Sequence, residues 1–89
     1  MDIKKEYIAD LANHLIATGG KMTGEDLAID LNAKGHKTYI NDIYVVGGRG
    51  VYNIIHATYD SLISESRKLE ADNVANAFTD ANGNPAWDK

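Results

Sequence analysis

The sequence predicts a mainly α chain with a short β-hairpin, an α+β domain of three to four helices. Three observations carry this. Capped segments of helical period occupy both halves. Leu31-Asn32-Ala33-Lys34-Gly35-His36-Lys37-Thr38 reads as a helix end, a glycine stop and an extended exit, and Gly47-Gly48-Arg49-Gly50 then opens a longer amphipathic helix. Between them, Thr38 to Val46 is rich in β-branched and aromatic residues. That order of elements is a helix-turn-helix or winged-helix arrangement. A length of 89 residues suits one domain, expected over residues 1–78, with 79–89 as a C-terminal turn or tail.

The first helix is expected from Ile3 to Ala17. Ile3, Tyr7, Ile8, Leu11, Leu15 and Ile16 form one stripe, Asp2 serves as N-cap, and Gly19-Gly20 end the element. His14 falls off the stripe and is expected to be exposed. The second helix starts at Thr23, whose hydroxyl suits an N-cap. Asp26 three residues on gives a short-armed capping box, and Met22 and Leu27 a hydrophobic staple. Glu25 and Asp26 place negative charge where the helix dipole favours it. Leu27, Ala28 and Leu31 face the core, and Gly35 closes the helix in the left-handed conformation.

Thr38–Val46 reads as a short hairpin or one irregular strand, with Asn41-Asp42 at its turn. Val51, Ile54, Ile55, Thr58, Tyr59, Leu62 and Ile63 follow the helical template without a miss, so the third helix is expected to centre the core, with Ile55 and Tyr59 largely buried. Leu69, Val74, Ala75 and Phe78 allow a short fourth helix, with Asp72 as its candidate cap. Thr79 to Pro85 is a turn cluster around Asn82-Gly83. Phe78 and Trp87 then flank a small hairpin closing on the domain, or the end is a mobile tail.

Composition narrows the function. Hydrophobic residues make up 44% and charged residues 25%, a globular balance rather than a disordered one. With no cysteine, disulfides and thiolate zinc sites are excluded, which fits a cytoplasmic location. No apolar run is long enough for a membrane span, and the N-terminus does not read as a signal peptide. The net charge is −4. Residues 31–59 hold Lys34, Lys37 and Arg49 against Asp42 alone, giving +2 there and −6 in the remainder.

Candidate chemistry is sparse. Gly47-Gly48-Arg49-Gly50 before a helix suits either an anion contact, through free N–H groups and the Arg49 guanidinium, or a tight connection whose glycines supply positive φ. It is neither a P-loop nor a dinucleotide fingerprint. His14, His36 and His56 lack metal-site spacing, so no metal or other cofactor is expected. Asp80-Ala81-Asn82-Gly83-Asn84 resembles part of a calcium loop but lacks the distal acidic ligand, and reads better as a turn. Ser61, Ser64 and Ser66 sit in no nucleophile motif, so the chain is not expected to be an enzyme.

Leu27-Ala28-x-x-Leu31-Asn32-x-x-Gly35-x-x-Thr38, followed by Tyr44 and Val51-x-x-Ile54-Ile55, resembles the helix-strand-helix DNA-binding region of large serine recombinases. It also looks like small winged-helix proteins of phages and prophages. The resemblance covers about 30 residues. The recombinase catalytic domain is absent, so what the resemblance implies is a fold and a DNA-facing helix.

Two functions follow. The first is a small DNA-binding transcription regulator of phage or prophage type. Arg49, Tyr52, Asn53 and His56 would meet duplex DNA at the start of the third helix, with Lys34 and Lys37 on the phosphate backbone. So few cations call for a homodimer. The alternative is a protein-interaction module, a phage-type accessory or inhibitor protein, with Tyr39, Tyr44, Tyr52 and Trp87 as exposed aromatic anchors.

Overall fold

The computed structural model describes residues 1–87. Its order is α1 (Ile3–Ala17), α2 (Gly24–Ala33), α3 (Arg49–Ser64) and α4 (Lys68–Ala77). α1 packs chiefly on α4, α3 packs on both, and α2 lies against α3. The core joins Ile8, Ala9 and Ala12 of α1 with Leu27, Ala28 and Leu31 of α2. α3 adds Val51, Ile55 and Leu62, followed by Ala71, Val74, Ala77 and Phe78, and Tyr44 and Ala86 complete it.

Local chemistry explains the boundaries. Asp2 Oδ1 accepts from the Lys5 amide at 2.8 Å, and Thr23 Oγ1 accepts from the Asp26 amide at 3.1 Å, so both expected N-caps form. Three helices end in the same way, with a left-handed residue after the cap and paired return hydrogen bonds. Gly20 N donates to Leu15 O at 2.7 Å, His36 N to Leu31 O at 2.9 Å and Arg67 N to Leu62 O at 2.8 Å. The left-handed residues are Gly19, Gly35 and Ser66, the last at φ +60° with a side chain. α4 follows at once, starting at Lys68. Asp72 is therefore inside the helix and pairs with Lys68 at 3.1 Å rather than capping it.

A charged cluster fastens α1 to the α3–α4 corner. The Arg67 guanidinium reaches Glu6 at 2.5 Å, Glu65 at 3.3 Å and Glu70 at 2.6 Å. Asn13 donates to Glu70 and accepts from Asn73. These contacts hold the Glu70 carboxyl below its usual value, through the Arg67 hydrogen bond first and the Asn13 bond second.

The expected hairpin at 38–46 does not form, so there is no wing, and no strand ladder exists among the described residues. Residues 34–48 are irregular instead. Thr38 N donates to Asp42 O, Asn41 N returns to Thr38 O, and Asn41 takes φ +63°. Asn41-Asp42 does turn the chain, but a two-stranded ribbon needs a surface to lean on, and the flanking residues face outward. The extended pairings lie elsewhere. Met22 bridges Phe78, and Thr79 bridges Pro85 across the Asn82-Gly83 turn. Ala86 N donates to Phe78 O at 2.9 Å, bringing Trp87 back onto the domain.

The stripes are right in period and wrong at their ends. Ile55 is fully buried and Tyr59 half-buried, while Ile63 and Ile3 are exposed. Ala9 and Ala12 let α1 approach its neighbours closely and carry burial that bulkier stripe residues were expected to supply.

Candidate protein-docking surface

The segment between α2 and α3 is long but tied down. Asn32, in the last turn of α2, clamps the backbone of Tyr44. Its Nδ2 donates to Tyr44 O and its Oδ1 accepts from Tyr44 N, both at 2.8 Å. This carboxamide imitates a strand neighbour, satisfying both backbone groups of a residue only 3% exposed. The Tyr44 ring lies under Lys4, whose Nζ is 5.2 Å from the ring centroid and donates to Lys37 O at 2.5 Å. The segment closes through Gly47 at φ +81°, with Gly48 N donating to Val45 O at 2.9 Å. A side chain on Gly48 would meet Val45 at 3.0 Å.

Fixing the backbone this way turns side chains outward. Tyr39 is 97% exposed, Ile40 68% and Val45 67%, and Ile43 and Val46 are more than half exposed. Five large apolar residues within eight positions, presented to water by a tethered segment, are unusual for a monomeric surface. Long irregular connections in small domains usually carry function. Beside them runs a groove of about 380 Å³, lined by Lys4, Thr38, Tyr39, Ile40, Tyr44, Gly50, Asn53, Ile54 and Ala57. That is the scale of ligand-sized clefts, roughly 300–1,000 Å³.

The six residues expected at a DNA contact divide among different settings. Arg49 and Asn53 lie one turn apart on the exposed side of α3, and Asn53 also lines the groove. Tyr52 is half-buried and turned toward α2. Its hydroxyl donates to Glu25 Oε1 at 2.8 Å, which pushes the phenol pKa up, and its ring covers Gly24, where a Cβ would meet it at 2.3 Å. His56 is exposed, stacks on Trp87 with centroids 5.1 Å apart, and faces Asp60 at 3.6 Å. Lys34 is the exposed C-cap of α2. Lys37 is exposed, and its carbonyl is held by Lys4 near the start of α1.

The expected aromatic anchors also divide. Tyr39 is exposed. Tyr44 is buried, contrary to expectation, because its backbone is clamped and its ring fills the space between Lys4 and Gly50. Trp87 is half-buried between His56 and Tyr59. Sequence reasoning missed Lys4, Asn32 and the aliphatic residues of 40–46. The available signal was an apolar run with neither helical period nor clean alternation, next to an asparagine at a helix end.

A second, more polar cavity of about 480 Å³ lies between Thr23, Glu25, Tyr52 and the Asp80–Asn82 turn. Asp80 Oδ1 there accepts from the amides of Asn82 and Asn84, so this acid serves the turn. No cluster of three potential metal ligands occurs among the described residues. Nor, among them, is any helix long and apolar enough to cross a membrane. No protein-family model matches the chain, and neither curated proteins nor solved structures yield a match.

Proposed function

We propose that this chain is a non-enzymatic protein-interaction module that recognises its partner through residues 38–46 and the adjoining groove. The observation that carries the reading is the exposure of Tyr39, Ile40, Ile43, Val45 and Val46 on a segment clamped by Asn32. Pre-organisation matters here, because ordering a free loop on binding would oppose association. An apolar patch with a half-polar rim is what a protein partner covers. A photo-crosslinking amino acid at position 39, irradiated in the native host cell, tests this. One defined protein adduct, diminished by Ile40→Ser, is expected. Adducts to nucleic acid alone, or none, would overturn it.

A second reading is duplex DNA binding in the manner implied by the resemblance to serine recombinases. The observation favouring it is that Arg49, Asn53 and His56 share one exposed face of α3, whose N-terminus carries no side-chain cap. Against it stand the net charge of −4, Asp60 beside His56, and Glu25 beside Tyr52. Fifteen residues separate α2 from α3, not the tight turn of a helix-turn-helix. Titration with random duplex DNA at low salt, followed by Arg49→Ala, decides this reading. Binding that weakens with salt and with the substitution supports it.

A further inference from the structure

The groove has one charged lining residue, and its position is fixed. Lys4 projects from the first turn of α1. Its ammonium is held by the Lys37 carbonyl and the Tyr44 ring, and it makes no ion pair among the described residues. In the free chain, water completes its solvation. A partner that fills the apolar floor of Tyr44, Ile54 and Ala57 removes that water. A desolvated ammonium left with one carbonyl and one ring is costly, and a carboxylate offsets the cost. Asp2 and Glu6, the nearest acids in sequence, are committed to the Lys5 amide and to Arg67, and Asp42, on the segment beside the groove, accepts from the Ile43 amide. The exposed aliphatic residues further along the segment extend the apolar surface past the groove, so the occupant is larger than a small molecule.

We propose that the groove takes a short apolar peptide segment carrying a carboxylate, and that Lys4 selects it. This rests on the protein-interaction reading above. A second copy of this chain is a poorer occupant, because a two-fold contact sets this surface against itself, and the groove lining offers Lys4 and no carboxylate.

Selection of a random peptide library against the immobilised full chain tests the proposal. Apolar peptides with Asp or Glu at a constant spacing from the apolar anchors should enrich. A synthesised winner should lose roughly tenfold or more in affinity against Lys4→Glu, equivalent to about 1.4 kcal/mol. Its acid-to-lysine counterpart should recover binding to Lys4→Glu. Lys4→Met, which keeps the apolar stem, should weaken the winner while the chain stays folded at the assay temperature by circular dichroism, separating charge recognition from unfolding. Winners with no acidic preference and no response at Lys4 would overturn the carboxylate assignment and leave the interaction reading standing. Winners that still bind Ile40→Ser would place the site elsewhere and overturn both. Failure of any peptide to enrich, or self-association abolished by Ile40→Ser, would overturn the peptide assignment.

Discussion

Replacing Asn32 by Ala should destabilise the fold out of proportion to the size of the change. Two hydrogen bonds of 2.8 Å disappear at once, and they leave the N–H and C=O of Tyr44 without partners at a nearly buried residue. A typical intramolecular hydrogen bond contributes about 0.5–1.5 kcal/mol net, and stranding a buried partner costs about 1–3 kcal/mol. Asn32 is only half-buried, so water reaches part of the gap, and the expected total is about 2–4 kcal/mol. Against a stability of about 5–15 kcal/mol for a small domain, that is a large share. Asn32→Asp sharpens the test. It keeps the acceptor for Tyr44 N but sets a carboxylate oxygen against Tyr44 O. It should be worse than Ala at neutral pH and recover in acid, where the protonated carboxyl donates again. Urea unfolding gives the energies, and hydrogen exchange at the Tyr44 amide reports the clamp. A loss under about 0.5 kcal/mol for Asn32→Ala, with Tyr44 exchange unchanged, would refute the reasoning.

Three further outcomes are expected. Ser66→Gly should stabilise by about 0.5–1 kcal/mol, since Ser66 pays a left-handed conformation that Gly19 and Gly35 meet freely, and a lower melting temperature would contradict this. Ile55→Ala should cost about 2–5 kcal/mol in denaturant melts, as for other fully buried large-to-small changes. Because Glu70 is held below its ordinary value of 4.5, its stabilising contribution is complete above that pH and is lost as pH falls through the lowered value. Arg67→Met should therefore flatten the acid limb of a stability-against-pH curve, with the two proteins converging in acid. Parallel curves would remove Arg67 as the cause.

What the sequence discloses and what it conceals follow from the range of the forces involved. The caps at Asp2 and Thr23 and the left-handed stop at Gly35 depend on neighbours within a few residues, and each is where the residue types put it. The α3 stripe is legible for the same reason, since 3.6-residue periodicity needs no knowledge of a partner. Ile63 and Ile3 end up exposed because burial at the ends of a stripe depends on whether another helix reaches that far. Residues 38–46 read as a short hairpin or one irregular strand because β-branched residues serve a strand or an outward-facing loop equally well. Only the Asn32 clamp, made between residues twelve apart, decides between them. The groove beside residues 38–46 is hidden likewise. Lys4 and Asn53 lie 49 positions apart in the chain and meet only when α1 and α3 pack. Ser66 gave no signal, since a left-handed serine looks like any other in a sequence.

Amide-resolved NMR of one sample, titrated first with a library-selected peptide and then with random duplex DNA, tests the docking surface most directly. The peptide should shift the amides of Lys4, Thr38 to Tyr44, Gly50 and Asn53 to Ala57, while DNA at low salt leaves that surface unmoved. Peptide shifts confined to other parts of the chain, or DNA shifts centred on Arg49, Asn53 and His56, would contradict it.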